Sequence, residues 1–220
     1  MKNRLLKYCV FLFIPTAIYC QEYQAGDNEL FLMPTAYTMP VNNSYFSDYE
    51  LFFLNYSYAV TPTTHIGLFS LFPITTQFYE TFSFGAKQRL FVYKEVQTSL
   101  YGTFTPKTSS YSLGDVISLG KPEKSFHVSV AYVKYSEYSE ADWIYMIGFR
   151  IDPSRKVSII TEYENANSLI KSSSDFKGLF SIGVRIHSTN MSWEIAGTRP
   201  LASSGSLLFF PLLKVGYYFN

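Results

Sequence analysis

The carboxyl-terminal stretch LLKVGYYFN, residues 212–220, shows the pattern that decides the fold. Successive side chains of a β-strand point to opposite faces. One face of an extended strand here carries large apolar side chains: Leu213, Val215, Tyr217 and Phe219. The opposite face carries Lys214, Gly216 and Tyr218. An apolar face that continues to the last residue but one predicts a strand whose outer side meets lipid.

The same alternation with a period of two residues runs through most of the chain. In residues 179–187, LFSIGVRIH, the apolar positions alternate with Ser181, Gly183 and Arg185. Turn residues interrupt the pattern, and no helical period persists beyond two turns. We therefore predict about twelve strands, with ten as the lower alternative, near residues 29–36, 46–60, 65–74, 78–90, 95–106, 112–120, 125–136, 142–151, 156–165, 178–187, 190–198 and 207–219.

The connections between these strands fall into two classes. One class is short and turn-like: residues 61–64, 91–95, 121–124, 152–155 and 188–190. The alternate class is mostly longer and more polar: residues 37–45, 107–111, 137–141, 166–177 and 199–206. Tight turns at one end and longer loops at the other are typical of transmembrane β-barrels. An even number of strands would place both termini at the end with the tight turns.

The composition favours a sheet that faces lipid. Charged residues make up 16% of the chain, against about 25% in an ordinary soluble domain, and aromatic residues make up 19%. No run of 18 uncharged apolar residues occurs beyond the amino terminus, which excludes a bundle of transmembrane helices. A formal net charge of +1 does not indicate the strongly basic surface that binds nucleic acid.

The polar faces of the predicted strands are rich in small residues rather than in Lys and Glu, which usually cover a water-exposed sheet. Small side chains fit the concave inside of a barrel, and aromatic residues near strand ends match the interfacial girdles of membrane barrels. A sheet can cross lipid only if it closes on itself, because every backbone polar group must be paired. The sequence thus predicts an all-β, closed antiparallel transmembrane β-barrel, with a soluble β-protein as the less favoured alternative.

Residues 1–20 are predicted to be a secretory signal peptide, and residues 21–220 the barrel domain. A basic start, with Lys2, Arg4 and Lys7, precedes a short apolar core. Cleavage near Cys20 is the favoured outcome, and lipidation of Cys20 is the alternative. The chain has two cysteines, both within this leader, so the predicted mature domain contains no disulfide.

Taken together, the leader, the alternating strands and the last strand LLFFPLLKVGYYFN, residues 207–220, resemble the small outer-membrane β-barrel proteins of Gram-negative bacteria, which include porins. The last strand is similar to the carboxyl-terminal signal that the barrel assembly machinery reads, although Asn220 rather than an aromatic residue ends the chain. The resemblance covers the whole predicted mature chain and implies the bacterial outer membrane as its location. It also implies the lipid bilayer and the assembly machinery as partners, and no cofactor, but it points to no subfamily.

If the aromatic faces meet lipid, eight charged residues point into the lumen: Lys87, Arg89, Arg150, Glu162, Glu164, Arg185, Glu194 and Lys214. Antiparallel pairing about the turn at 188–190 places Arg185 near Glu194, and pairing about 199–206 places Glu194 near Lys214. We therefore predict a ladder of alternating sign, Arg185–Glu194–Lys214. Its charges either neutralise one another structurally, which is the favoured interpretation, or line a selective pore.

The remaining polar motifs give weaker evidence about function. His127 and Ser129 lie two residues apart on one strand face, as in an outer-membrane lipid A deacylase, and suggest a membrane-embedded hydrolase as an alternative. The spacing is common, however, and the pair should face the lumen, so we assign no catalytic residue. The histidines, His65, His127 and His187, lack ligand spacing, and no metal site is predicted. Trp143 and Trp193 are predicted to anchor the barrel at the membrane interface.

The favoured function is structural or porin-like, with passive diffusion of small polar solutes rather than catalysis. A second possibility is a surface interaction protein that presents loops 37–45 and 166–177 to a partner. The third is the lipid hydrolase that would use His127 and Ser129.

Overall fold

The computed structural model describes residues 23–50, 52–72, 78–134, 141–165, 176–202 and 209–220. The predicted signal peptide and most of loop 166–177 lie outside these residues. The described strands form one closed antiparallel barrel, in which each strand pairs with its sequence neighbours and β1 pairs with β12. The predicted fold class and the count of about twelve strands are therefore confirmed.

The strands are β1 (Ser44–Tyr49), β2 (Phe53–Thr61), β3 (Thr64–Leu71), β4 (Ser83–Tyr93), β5 (Val96–Thr105), β6 (Ser110–Lys121), β7 (Lys124–Lys134), β8 (Ala141–Ser154), β9 (Val157–Glu164), β10 (Phe176–His187), β11 (Met191–Ala202) and β12 (Phe210–Phe219). One short helix, α1 (Phe78–Thr81), lies between β3 and β4. No helix in the described ranges has the length and apolarity needed to cross a bilayer.

At the amino-terminal end the structure has different strands from those predicted, although the total number is the same. Residues 29–36 do not join the barrel as a strand; they form only an isolated bridge between Glu29 and Pro34. The predicted strand 46–60 is instead two strands, because the chain reverses at Glu50, which has a φ of +55°. One strand fewer and one strand more leave the total unchanged.

The two faces of the wall differ as the alternation requires. On β10, Ile182, Val184 and Ile186 are 42, 37 and 47% exposed, whereas Arg185 is fully buried in the lumen. The aromatic and aliphatic positions therefore cover the outside, where hydrocarbon would replace water. The Gly, Ser and charged positions line the inside.

Both ends of the described barrel domain lie at the end with the tight turns, because Ser44 at the start of β1 pairs with Phe219 at the end of β12. The placement of residues 37–45 among the long loops is therefore wrong. The Asn42 amide donates to the Ala59 carbonyl, and the Thr38 hydroxyl donates to the Pro62 carbonyl beside the turn at 62–63. These contacts hold the segment at the tight-turn end.

Candidate functional site: the occupied lumen

Residues 23–39 fold back on themselves inside the barrel, and we call this segment the inner hairpin. The Leu30 amide donates to the Met33 carbonyl across its tip (2.8 Å), and the Thr35 amide donates to the Asn28 carbonyl between its arms (3.1 Å). At the tight-turn end the ring of Tyr23 packs against that of Tyr218, with centroids 4.9 Å apart. The segment thus enters and leaves at one end of the barrel, and its tip lies in the interior.

The tip is apolar and enters an apolar belt of the inner wall. Leu30, Phe31 and Met33 are at most 1% exposed. Leu30, Phe31 and Met33 form one apolar cluster with Ala36. The wall residues packed in this cluster or against it are Tyr101, Val116, Met146, Ile160, Ala196 and Leu212. Burial of such side chains is worth about 1.5–3 kcal/mol each, so the tip is held by the hydrophobic effect as well as by polar contacts.

The sequence analysis missed this belt, although a local signal exists. Each of four strands carries an apolar pair of adjacent residues instead of strict alternation: Val116–Ile117, Met146–Ile147, Ile159–Ile160 and Leu212–Leu213. In each pair one residue faces outward and the other faces the hairpin tip. An inward apolar residue in a polar lumen indicates that something apolar covers it.

Arg185 and Lys214 bind the main chain of the hairpin near its tip. The Arg185 guanidinium donates to the carbonyls of Gly26 (2.7 Å), Glu29 (2.9 Å) and Leu30 (2.9 Å). The Lys214 ammonium donates to the Leu30 carbonyl (3.0 Å) and the Phe31 carbonyl. Gly26 has a φ of +88°, and a β-carbon there would come within 2.8 Å of the guanidinium. Glycine is therefore required both for its backbone conformation and for close approach.

Glu162 binds the tip as a hydrogen-bond acceptor, whereas Arg185 and Lys214 bind it as donors. Its carboxylate accepts hydrogen bonds from the amides of Phe31 (3.1 Å), Leu32 (2.9 Å) and Met33 (3.3 Å). Three amides of a turn that point at one carboxylate form an anion-binding concavity. Carbonyls of the hairpin thus meet wall cations, and amides of the hairpin meet a wall anion.

Glu29 is the acidic centre of the hairpin. Its carboxylate lies 2.7 Å from the Lys214 ammonium on β12 and accepts hydrogen bonds from Tyr49 (3.0 Å) and Ser47 on β1. Burial opposes ionisation of Glu29, but the adjacent ammonium, the nearby Arg185 and the tyrosine hydroxyl outweigh it and lower the pKa of Glu29 below its ordinary value. Glu29 is therefore held as a carboxylate.

Two further wall cations bind the arms. Lys87 donates to three hairpin carbonyls, those of Asn28 (3.1 Å), Thr35 (3.1 Å) and Tyr37 (2.8 Å). Arg150 forms an ion pair with Asp27 on the hairpin (2.6 Å). It also forms a bidentate ion pair with Asp152 on its own strand.

A chain of hydroxyl and imidazole groups fixes the returning arm. The Ala36 amide donates to Ser118 Oγ (2.8 Å), Ser118 lies 2.7 Å from His127 Nδ1, and His127 Nε2 lies 2.9 Å from Ser125 Oγ. A neutral imidazole with its proton on Nε2 satisfies this whole chain, since Ser118 then donates to Nδ1. Nearby, the Met39 amide donates to His65 Nε2 (2.8 Å). These histidines hold the hairpin.

The structure brings the three members of the predicted ladder together. Arg185 pairs in register with Glu194, and Glu194 with Lys214. Arg185 Nε lies 2.9 Å from Glu194 Oε1, and Lys214 Nζ lies 3.7 Å from the same atom. Among the other predicted lumen charges, Lys87, Arg150 and Glu162 contact the hairpin. Arg89 instead donates to the Pro62 carbonyl at the tight-turn end (3.1 Å), and Glu164 makes none of the hairpin contacts described above.

The predicted interface tryptophans and the candidate hydrolase pair have clear positions. Trp143 and Trp193 are 54 and 52% exposed on the outer face. Ser129 donates to the Asp115 carbonyl and pairs with the Tyr101 hydroxyl, whereas His127 bonds Ser118 and Ser125. His127 and Ser129 therefore do not form a nucleophile–base pair.

The lumen beyond the tip is open on the side of the long loops and has a mixed polar and apolar lining. A cavity of about 260 Å³ is lined by Tyr101, Thr103, Ser112, Ala131, Ile144 and Met146. A second cavity, of about 300 Å³, reaches Leu32 at the tip and Lys87 on the wall. We call the space beyond the tip the vestibule. The second cavity continues beside the hairpin arms, where Asn28, Pro34 and His65 line it.

The geometry can be compared with known proteins. No protein-family model matches the sequence, and no curated protein matches it. Among solved structures, the chain is similar to the NanC porin, with a TM-score of 0.50 at 8% identity over 81% of this chain and 98% of that one. The fold is that of an outer-membrane β-barrel.

Other outer-membrane barrels match with lower scores. OmpF of Salmonella typhi, in a complex with daunomycin, has a TM-score of 0.42 at 8% identity over 76% of this chain, which spans 61% of the OmpF chain. LpxR from Salmonella typhimurium has a TM-score of 0.39 at 7% identity, over 80% of this chain and 99% of that one. At such identities the likeness concerns the fold alone.

Proposed function

We propose that this protein is an integral barrel of the bacterial outer membrane with a porin-like lumen for small polar solutes, and that its inner hairpin closes the passage. The observation that carries the proposal is the hairpin inside the lumen, with Leu30, Phe31 and Met33 buried against the barrel wall. Twelve strands enclose more space than wall side chains alone fill, and in this conformation the hairpin occupies that space.

Membrane insertion is supported by the outer face and by the last strand. Apolar side chains cover most of the outside of the barrel, and β12 presents Leu213, Val215, Tyr217 and Phe219 outward. We propose that the lipid bilayer and, during biogenesis, the barrel assembly machinery are the partners of these surfaces.

The attachment of the hairpin supports a movable closure. Its contacts are side-chain ion pairs, hydrogen bonds and apolar packing, and none of its residues belongs to the barrel ladder. Withdrawal through the tight-turn end would therefore leave all twelve strand pairings intact. Water or solute would have to replace the hairpin at Lys87, Arg150, Arg185, Lys214 and Glu162, because a desolvated unpaired charge is costly.

Conductance in planar bilayers tests the proposal. A variant that lacks residues 24–39 should give stable single-channel steps, whereas the full chain should give rare or much smaller steps. A heat-dependent shift in a detergent gel verifies that each barrel is closed and folded. If the folded deletion variant gives no steps and no liposome swelling, the channel proposal is wrong.

A cross-link distinguishes a movable hairpin from a permanent one. Ala36 and Ser118 lie in direct contact, since the Ala36 amide donates to the Ser118 hydroxyl. In a chain without Cys9 and Cys20, an Ala36→Cys/Ser118→Cys pair should abolish the residual openings when oxidised, and a reductant should restore them. Openings that persist equally in both redox states would show that they do not depend on the hairpin.

The second candidate function is a closed barrel that serves as a structural or surface protein. The many hydrogen bonds and ion pairs between the wall and the hairpin favour it, because such contacts stabilise a plug. In that case the cross-link would change nothing and the full chain would never open. Of the two loops proposed for partner binding, residues 37–43 lie at the tight-turn end, so this candidate depends on the loop at 166–177.

A further inference from the structure

We propose that the tight-turn end of the barrel carries a binding surface for anionic phospholipid headgroups, formed by Lys94, Lys121, Lys124, Arg155 and Lys156. We call these five residues the cationic rim. They belong to three consecutive hairpins, β4–β5, β6–β7 and β8–β9, and all five are exposed. This inference concerns the outside of the barrel and does not depend on whether the lumen conducts.

The charge is concentrated on one side of this end. The turns of the three hairpins, residues 93–96, 120–125 and 152–157, carry five basic residues against two exposed acidic ones, Glu95 and Glu123. Asp152, the other acid in these turns, is occupied by Arg150. The remaining tight turns, residues 62–63 and 188–190, carry no charge. Such a one-sided excess attracts anions by its local field.

The three hairpins are tied into one rigid strip. The Gly120 amide donates to the Glu95 carbonyl (2.8 Å), which joins the first hairpin to the second. The Asp152 amide donates to the Glu123 carbonyl (2.7 Å), which joins the second to the third. Adjacent hairpins are two strands apart, or about 10 Å. The cations are therefore held at a fixed spacing, and binding costs little further ordering of the backbone.

The height of the rim on the barrel favours lipid headgroups over a soluble anionic partner. Lys121 and Lys124 lie two residues beyond the outward-facing Leu119 and Phe126, so the step along the strand is about 6–7 Å. Tyr93, 66% exposed, precedes Lys94 in the first hairpin. Apolar and aromatic side chains directly below a row of cations place those cations at the level of the phosphates.

Lipid selectivity in reconstituted bilayers tests this surface. The protein would be placed in phosphatidylcholine bilayers that contain spin-labelled phosphatidylglycerol or spin-labelled phosphatidylcholine, and the relative association of the two lipids with the barrel measured. We expect a preference for phosphatidylglycerol that weakens with salt, and a loss of about twofold or more in the variant Lys94→Gln/Lys124→Gln/Lys156→Gln.

A matched control removes three exposed cations from the opposite end, in the variant Lys107→Gln/Lys134→Gln/Lys177→Gln. Its preference for phosphatidylglycerol should stay near that of the unaltered chain. An unchanged preference in the rim variant would overturn the proposal. An equal loss in both variants would overturn it too, since overall charge would then explain the effect. The heat-dependent gel shift verifies that both variants are folded.

Discussion

The side chain of Leu30 occupies the space that a β-carbon on Gly148 would need. Gly148 faces the lumen on β8, and the Met33 sulfur would lie 3.0 Å from the same added carbon. The wall is therefore shaped to the hairpin tip, and residue 148 reports directly on whether the tip is docked.

The substitution Gly148→Ala should weaken docking of the tip. Overpacking of this kind costs about 1–3 kcal/mol, which should raise hydrogen exchange at the amides of Phe31, Leu32 and Met33 about tenfold or more. The matched control is Gly85→Ala, where a β-carbon would meet no heavy atom closer than 3.8 Å. Equal exchange in both variants would show that the tip does not rest against residue 148.

The carboxylate of Glu162 should be more important to the hairpin than that of its neighbour Glu164. Glu162→Gln replaces an acceptor of three amide hydrogen bonds by a group with one acceptor oxygen and a competing donor. The loss should be about 1–3 kcal/mol of docking free energy, read as faster exchange of the Leu32 amide. Glu164→Gln should leave that exchange unchanged, and the idea fails if both variants behave alike.

Arg185 and Glu194 should be coupled in a double-mutant cycle. Arg185→Met removes a guanidinium that satisfies Glu194 and three hairpin carbonyls, and breaking such a buried pair costs about 3–5 kcal/mol. The double variant Arg185→Met/Glu194→Met should lose less stability than the sum of the two single variants. Urea unfolding in lipid vesicles measures this, and strict additivity would mean that the pair does not interact.

Acid should loosen the hairpin through Glu29. The pKa of Glu29 is below its ordinary value in the folded protein, so its ionised form stabilises the hairpin at neutral pH. That contribution is fully present above the unfolded pKa, about 4.3, and is lost as the pH falls through the lower folded value.

The matched variant is Glu29→Gln, which cannot titrate. The difference in unfolding free energy between the unaltered chain and Glu29→Gln should be constant at neutral pH and should shrink below about pH 4. A difference that does not change with pH would show that Glu29 is not held as a carboxylate.

The barrel was predictable because its register follows from local rules. A turn at 188–190 fixes which residues of β10 and β11 face each other, and one slip of a residue would expose the whole apolar set to the lumen. The same arithmetic that placed Arg185 opposite Glu194 therefore also sets the outward face of Ile182, Val184 and Ile186.

The inner hairpin was not predictable from its own residues. ELFLMP, residues 29–34, has the length and apolar content of a strand, but both of its sides are apolar. A lipid-facing strand buries one side in hydrocarbon and turns the other to the lumen, whereas Leu30, Phe31 and Met33, on both sides of this segment, are buried in the barrel interior. What separates the two cases is the wall: the inward Val116, Met146, Ile160 and Leu212 lie on four different strands, and only the folded barrel brings them together.

The contacts of Glu29 have a consequence for how the barrel is completed. Its carboxylate bonds Ser47 and Tyr49 on the first strand and Lys214 on the last strand, the two strands whose pairing joins the ends of the sheet. Residues 40–43 connect the hairpin directly to β1, so the two lie close together along the chain as well as in the fold. The Glu29 side chain thus contacts both β1 and β12 from inside the barrel. Pairing of these two strands and entry of the hairpin into the lumen therefore become one step of assembly.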